Sequence, residues 1–123
     1  LILRGSGSAP NYNKESVDKA AEMLNKAGIS NGIMIDCSHG NSFKDHQRQP
    51  EVVDDICKQV SEGSKIICGV MLESFLKAGK QNLAPKAKMT YGQSVTDACM
   101  SWETTEKALD ELYQASKKRV PLD

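Results

Sequence analysis

Apolar positions along the chain fall into two kinds of run, short continuous stretches and longer ones spaced at three and four, and the two kinds alternate. Leu1-Ile2-Leu3 opens the series as a strand. Past the small-residue turn Gly5-Ser6-Gly7-Ser8, a helix carries Val17, Ala20, Ala21, Leu24 and Ala27 on one face, with Asn13 at its N-cap and Gly28 as its stop. The run Gly32-Ile33-Met34-Ile35-Asp36-Cys37 is almost wholly apolar, as a strand covered on both faces must be. A second helix is predicted from about Pro50, a residue suited to a first helical turn. Its inner face is Val53, Ile56, Cys57 and Val60, and Gly63 ends it. Residues 65–72 form a third buried strand. From about Ser74 to Ser94 no period emerges, so this stretch is expected to be a long loop, a length that signals function or disorder. The last helix is predicted after Thr104 or Thr105 as cap, packing Ala108, Leu109, Leu112 and Ala115 and stopping before Pro121.

Strands alternating with helices predict an α/β protein of βαβ units with parallel strands. Three such units fit the 123 residues. A complete (β/α)8 barrel needs ~250 residues, so on a barrel reading the chain is a piece. It opens in mid-strand and without Met, so further residues are expected upstream. Sixteen basic and sixteen acidic residues cancel, which argues against nucleic acid or an acidic membrane surface as a partner. No apolar run approaches the ~20 residues of a membrane span, and no signal-peptide layout is present; the expected compartment is the cytoplasm. Cys37, Cys57, Cys68 and Cys99 lack zinc-knuckle spacing and are expected to be free, mostly buried thiols.

In parallel α/β folds, reactive groups gather where strands end. The first run ends in Arg4, followed by Gly5, a guanidinium beside exposed N–H groups that suits a phosphate or carboxylate; a surface Arg before a turn is the structural alternative. The second ends in Asp36-Cys37-Ser38-His39, where the imidazole can bind a metal, transfer a proton or serve as a hydrogen-bonded structural group. The third ends in Glu73, a carboxylate that should seek a cation or pair with a lysine such as Lys77. Asp97 precedes the last helix and on its own reads as an acid at a helix N-terminus. Together His39, Glu73 and Asp97 offer one nitrogen and two oxygen donors from three successive strand ends, a set that suits Mn, Fe, Co or Zn. Their donor atoms are expected to converge within ~5 Å of a common point, given metal–ligand bonds of ~2.0 to 2.2 Å.

The runs Leu3-Arg4-Gly5, Pro10-Asn11-Tyr12, Asp36-Cys37-Ser38-His39-Gly40-Asn41-Ser42, Gly69-Val70-Met71-Leu72-Glu73-Ser74, Gly79-Lys80-Gln81 and Tyr91-Gly92-Gln93-Ser94-Val95-Thr96-Asp97-Ala98-Cys99, with Trp102-Glu103, occur in this order. Taken together they resemble the C-terminal portion of class I 3-deoxy-D-arabino-heptulosonate 7-phosphate (DAHP) synthases, across essentially the whole chain. The resemblance implies the C-terminal three βα units of a TIM (β/α)8 barrel, with residues 1–123 one fragment of a single catalytic domain. It also implies a transferase that condenses phosphoenolpyruvate with erythrose 4-phosphate, releases phosphate and opens the shikimate pathway to the aromatic amino acids. Carried onto this sequence, the metal ligands are His39, Glu73 and Asp97, and the family's fourth ligand, a cysteine, lies before residue 1. Arg4 matches an arginine that binds phosphoenolpyruvate, and His39 is a candidate for proton transfer. Ser6 stands where the family usually has a second Gly, and Cys37 where an aromatic is common. The remaining N-terminal part of the barrel is an implied partner, and the parent enzyme is expected to be a homo-oligomer. The fragment alone is expected to be inactive. The competing readings are a non-catalytic module that keeps a metal half-site or serves only in assembly, and a related synthase using another aldose.

Overall fold

Three of the apolar runs pair as parallel strands in the computed structural model, which describes residues 1–119. Strands β1 (Ile2–Leu3), β2 (Ile33–Asp36) and β3 (Ile67–Met71) lie in chain order, joined by helices α1 (Lys14–Lys26) and α2 (Gln49–Ser61). In register, Leu3 faces Ile35, and Ile35 faces Val70. The apolar faces meet in one core of Leu3, Val17, Ile33, Ile35, Val52, Val53, Ile56, Ile67 and Ala108. Each buried Val or Ile in such a core contributes ~1.5–3 kcal/mol.

The middle strand meets the expectation of a doubly covered strand, since Ile33, Ile35 and Cys37 are fully buried. The outer strand β3 does not: Ile67 is buried, but Cys68 and Met71 are exposed because no further strand among the described residues covers that side. The cysteines are free as expected but not mostly buried: Cys68 is exposed, Cys57 and Cys99 are half-buried, and Cys37 alone is enclosed. Ala27 and Leu109, expected on packed faces, are exposed.

Helix boundaries follow local hydrogen bonding. Asn13 holds the N-cap position of α1 without a side-chain bond, and Gly28 follows the helix in the left-handed region at φ 70°. Helix α2 begins at Gln49, with Pro50 in its first turn. The last helix, α3 (Trp102–Lys118), starts earlier than predicted, because Ser101 is the cap and accepts from Thr104 N at 3.2 Å. Thr104 and Thr105 are therefore first-turn residues, and Thr105 Oγ1 donates back to Ser101 O. The helix ends at Lys118, and Pro121 lies outside the described residues.

The stretch expected to be a long loop is instead organised by a second, two-stranded parallel sheet, β4 (Lys77–Lys80) with β5 (Gln93–Ser94). Amide side chains hold it. Gln81 Nε2 donates to Thr90 O at 2.7 Å and to Gln93 O at 3.0 Å, and Gln93 Nε2 donates to Ala78 O at 2.9 Å. Isolated bridges, Ser74 with Met100 and Gly79 with Cys99, tie this unit to the end of β3 and the start of α3.

Candidate metal centre

His39 opens a single 3₁₀ turn, His39–Ser42, directly after β2, in the left-handed region at φ 49°. A non-glycine residue held there stores backbone strain, which surrounding contacts must over-determine. They do. Buried Asp36, the last residue of β2, accepts from His39 Nδ1 at 2.8 Å through Oδ2, while its Oδ1 accepts from Ser38 N and Ser38 Oγ. This assigns the imidazole proton to Nδ1 and leaves the Nε2 lone pair to face outward.

Nε2 faces two carboxylates, Glu73 Oε1 at 3.5 Å and Asp97 Oδ2 at 4.0 Å. One donor atom from each of the three residues lies within 4.8 Å of the other two, as the sequence predicted. Ligands ~2.1 Å from one ion sit ~3.0–3.4 Å apart when adjacent, so closing this set on a cation requires shifts of about an ångström. Glu73 follows β3 directly. Asp97 follows β5 of the small sheet, not a third strand of the main one, and stands four residues ahead of the α3 cap, too early to serve that helix. Burial above all holds the Glu73 carboxyl above its ordinary value; His39 lowers it, while Asp97 and Asp36 raise it further. Lys77, the alternative partner weighed for Glu73, is exposed in β4 and makes no ion pair with it. A partly desolvated carboxylate facing a second carboxylate is a donor set that fits a divalent cation.

Two cavities meet at this cluster. One, about 440 Å³, is lined by Arg4, the turn Gly5 to Gly7, His39, Gly40, Phe43 and Lys44. The other, about 180 Å³, is lined by His39, Lys44, Glu73, Lys80 and Asp97. Arg4, Lys44 and Lys80 thus supply positive charge around three acids. The first cavity's floor depends on two glycines, since a Cβ on Gly40 would lie 2.5 Å from Ser6 N and one on Gly5 2.6 Å from Asn41 N.

Sequence reasoning gave no role to Asp36, Asn41 or Lys44 and did not single out Gln49. Buried Asn41 joins three segments, donating through Nδ2 to Leu3 O and Asp36 O and accepting from Asn11 N. Gln49 continues the inward stripe of Val53, Ile56 and Val60, and a polar residue on that stripe was the available signal.

The profile described as the DAHP synthetase I family matches residues 1–110. A Tyr-sensitive phospho-2-dehydro-3-deoxyheptonate aldolase of Enterobacter agglomerans is 49% identical over 115 residues, covering 93% of this chain and 54% of its own length. An aldolase of the same name from Alternaria alternata is 47% identical, covering 99% of this chain and 33% of its own length. The solved phospho-2-dehydro-3-deoxyheptonate aldolase of Francisella tularensis superposes with a TM-score of 0.92 at 51% identity, over 98% of this chain and 35% of that one. The chain therefore spans between a third and about half the length of these relatives. A match of this extent, running from β1 through the carboxylate pair and into α3, means that the chain belongs to the DAHP synthetase I family.

Proposed function

We propose that residues 1–123 are the C-terminal three βα units of a (β/α)8 barrel and supply part of the active site of a DAHP synthase. The reaction joins C3 of phosphoenolpyruvate to the aldehyde carbon of erythrose 4-phosphate, consumes water and releases inorganic phosphate. The observation that carries this reading is the convergence of His39, Glu73 and Asp97 donors within 4.8 Å of one another.

In this reading His39 Nε2, Glu73 and Asp97 hold a divalent ion, one of Mn, Fe, Co or Zn. Such an ion, when bound, supplies Lewis acidity that polarises the aldehyde carbonyl. Arg4 binds an anionic group of phosphoenolpyruvate in the larger cavity; the Gly5 and Ser6 N–H groups, which the sequence left exposed, are instead given to Asn11 Oδ1 and Ala9 O. Lys44 and Lys80 border the smaller cavity and offset the charge of two anionic substrates brought together. His39 lines both cavities; with Nδ1 held by Asp36 and Nε2 on the ion it serves as a ligand, and it can pass a proton only with Nε2 free of the ion. The rest of the barrel supplies the remaining phosphate contacts and the fourth ligand, and the assembled enzyme is a cytoplasmic homo-oligomer.

The test is phosphate release from phosphoenolpyruvate that depends on erythrose 4-phosphate, measured with the full protein. Chelation should abolish it, Mn²⁺ should restore it, and His39→Ala should not be restored. Undiminished turnover by His39→Ala in chelator would overturn the reading.

A further inference from the structure

Gln49 is the first residue of α2, wholly buried, and far from solvent for a side chain of its polarity. Its carboxamide lies along the peptide of Glu73: Oε1 accepts from Glu73 N at 3.0 Å, and Nε2 donates to Glu73 O at 3.0 Å. A residue of a neighbouring strand would make the same two bonds. Glu73 O also accepts from Met100 N at 2.9 Å. The peptide just past the end of β3 is thus fixed by one side chain and by the segment leading into α3. A methionine or leucine on the same inward stripe would fill the space without the desolvation cost of an amide, so the polar choice needs a reason beyond packing.

We propose that Gln49 is a positioning residue for the metal centre, whose amide sets the Glu73 backbone and so aims its carboxylate at the point faced by His39 Nε2. Side-chain direction at Cα is fixed once the flanking peptides are fixed, and the 3.5 Å separation of Glu73 Oε1 from His39 Nε2 depends on that direction. Partners behind the ligands of a metal site commonly control affinity by 10–100-fold when removed. Gln49 differs from Asp36 in acting through backbone and from the neighbouring helix, so a substitution in α2 reports on a ligand after β3. The inference rests on the proposed metal centre.

Mn²⁺ titration of the full protein, followed by calorimetry and by the electron paramagnetic resonance spectrum of the bound ion, tests it in three variants. His39→Ala establishes the centre: Mn²⁺ binding unchanged from the parent would overturn the centre and this inference together. With that loss in hand, Gln49→Met is expected to weaken Mn²⁺ binding on the order of 10–100-fold and alter the bound spectrum, while its circular dichroism stays that of the folded parent. Gln49→Glu keeps the length and the acceptor facing Glu73 N but sets a second acceptor against Glu73 O in a buried position, so it should bind Mn²⁺ no better than Gln49→Met. A purely structural amide would lower the metal-free melting temperature of Gln49→Met and leave its Kd and spectrum alone. That result, or a Gln49→Glu that binds Mn²⁺ as tightly as the parent, overturns the assignment while leaving His39, Glu73 and Asp97 as the centre.

Discussion

Asp36 accepts from His39 Nδ1 at 2.8 Å, and its other oxygen is held by Ser38, so its position is as fixed as that of the strand it ends. Replacing it by Asn keeps the shape and removes the charge that makes the imidazole a better donor at Nε2. Mn²⁺ affinity in Asp36→Asn should fall on the order of 10–100-fold with little change in secondary structure, measured by calorimetric titration. An unchanged Kd would show that Asp36 serves the turn and not the centre. The carboxyl of Glu73 gives a second expectation. Because burial raises its pKa, the folded state binds this proton more tightly than the unfolded chain does, so metal-free stability falls as pH rises from the ordinary carboxylate range through the elevated value. Mn²⁺ needs the deprotonated group, so its binding strengthens over the same interval and reverses the slope. Glu111, raised by burial and by Asp54, adds a slope of its own. The difference between parent and Glu73→Gln in pH-dependent urea melts isolates Glu73, and identical slopes would contradict its burial as the cause.

At the scale of elements, the loop after β1 and the 3₁₀ turn after β2 touch through glycine backbones. A Cβ on Gly40 would meet Ser6 N and Ser6 O at 2.5 Å, and both are main-chain atoms that cannot swing aside. Gly40→Ala should therefore cost about 1–3 kcal/mol by denaturant melting, as overpacking does. Gly7→Ala, with nothing within 4 Å of its added carbon, should be close to neutral. Equal losses would show that the effect is loop entropy and not contact. What was legible in the sequence follows the same division between period and contact. β2 was legible because Ile33, Met34 and Ile35 run without a polar break up to Asp36, and α1 and α2 because their inner faces repeat at helical spacing. Glu73 was legible because it follows an apolar run at once, and His39 because it lies in the polar segment that closes one. The β4–β5 unit was not, since its order comes from Gln81 and Gln93 reaching main-chain carbonyls twelve and fifteen residues away, which leaves no apolar rhythm. Gln49 and Asn41 escaped for a related reason: their partners are 24 and 38 residues distant and are backbone groups, which carry no sequence signature.

Across the described residues the main sheet is three-stranded and parallel with β1 and β3 at its edges, and parallel sheets are normally covered on both faces. Around those edges Ile2, Met71, Phe75 and Leu76 are each 42–54% exposed. Apolar side chains beside unpaired strand edges are the combination that draws another strand. The matching solved chain is nearly three times as long, with this chain covering 35% of it; on the proposed barrel reading, the remaining strands would occupy these edges. Residues 1–123 produced alone should therefore self-associate with rising concentration, seen by sedimentation velocity as a shift away from monomer across the micromolar range. Supplying the remaining barrel segment in trans should suppress that shift and raise Mn²⁺ affinity at the same time, because on the proposed reading the strands that would cover β1 and β3 also bring a fourth ligand to His39, Glu73 and Asp97. A solitary monomer that binds Mn²⁺ as tightly without the added segment as with it would separate the metal centre from barrel closure and refute the coupling between them.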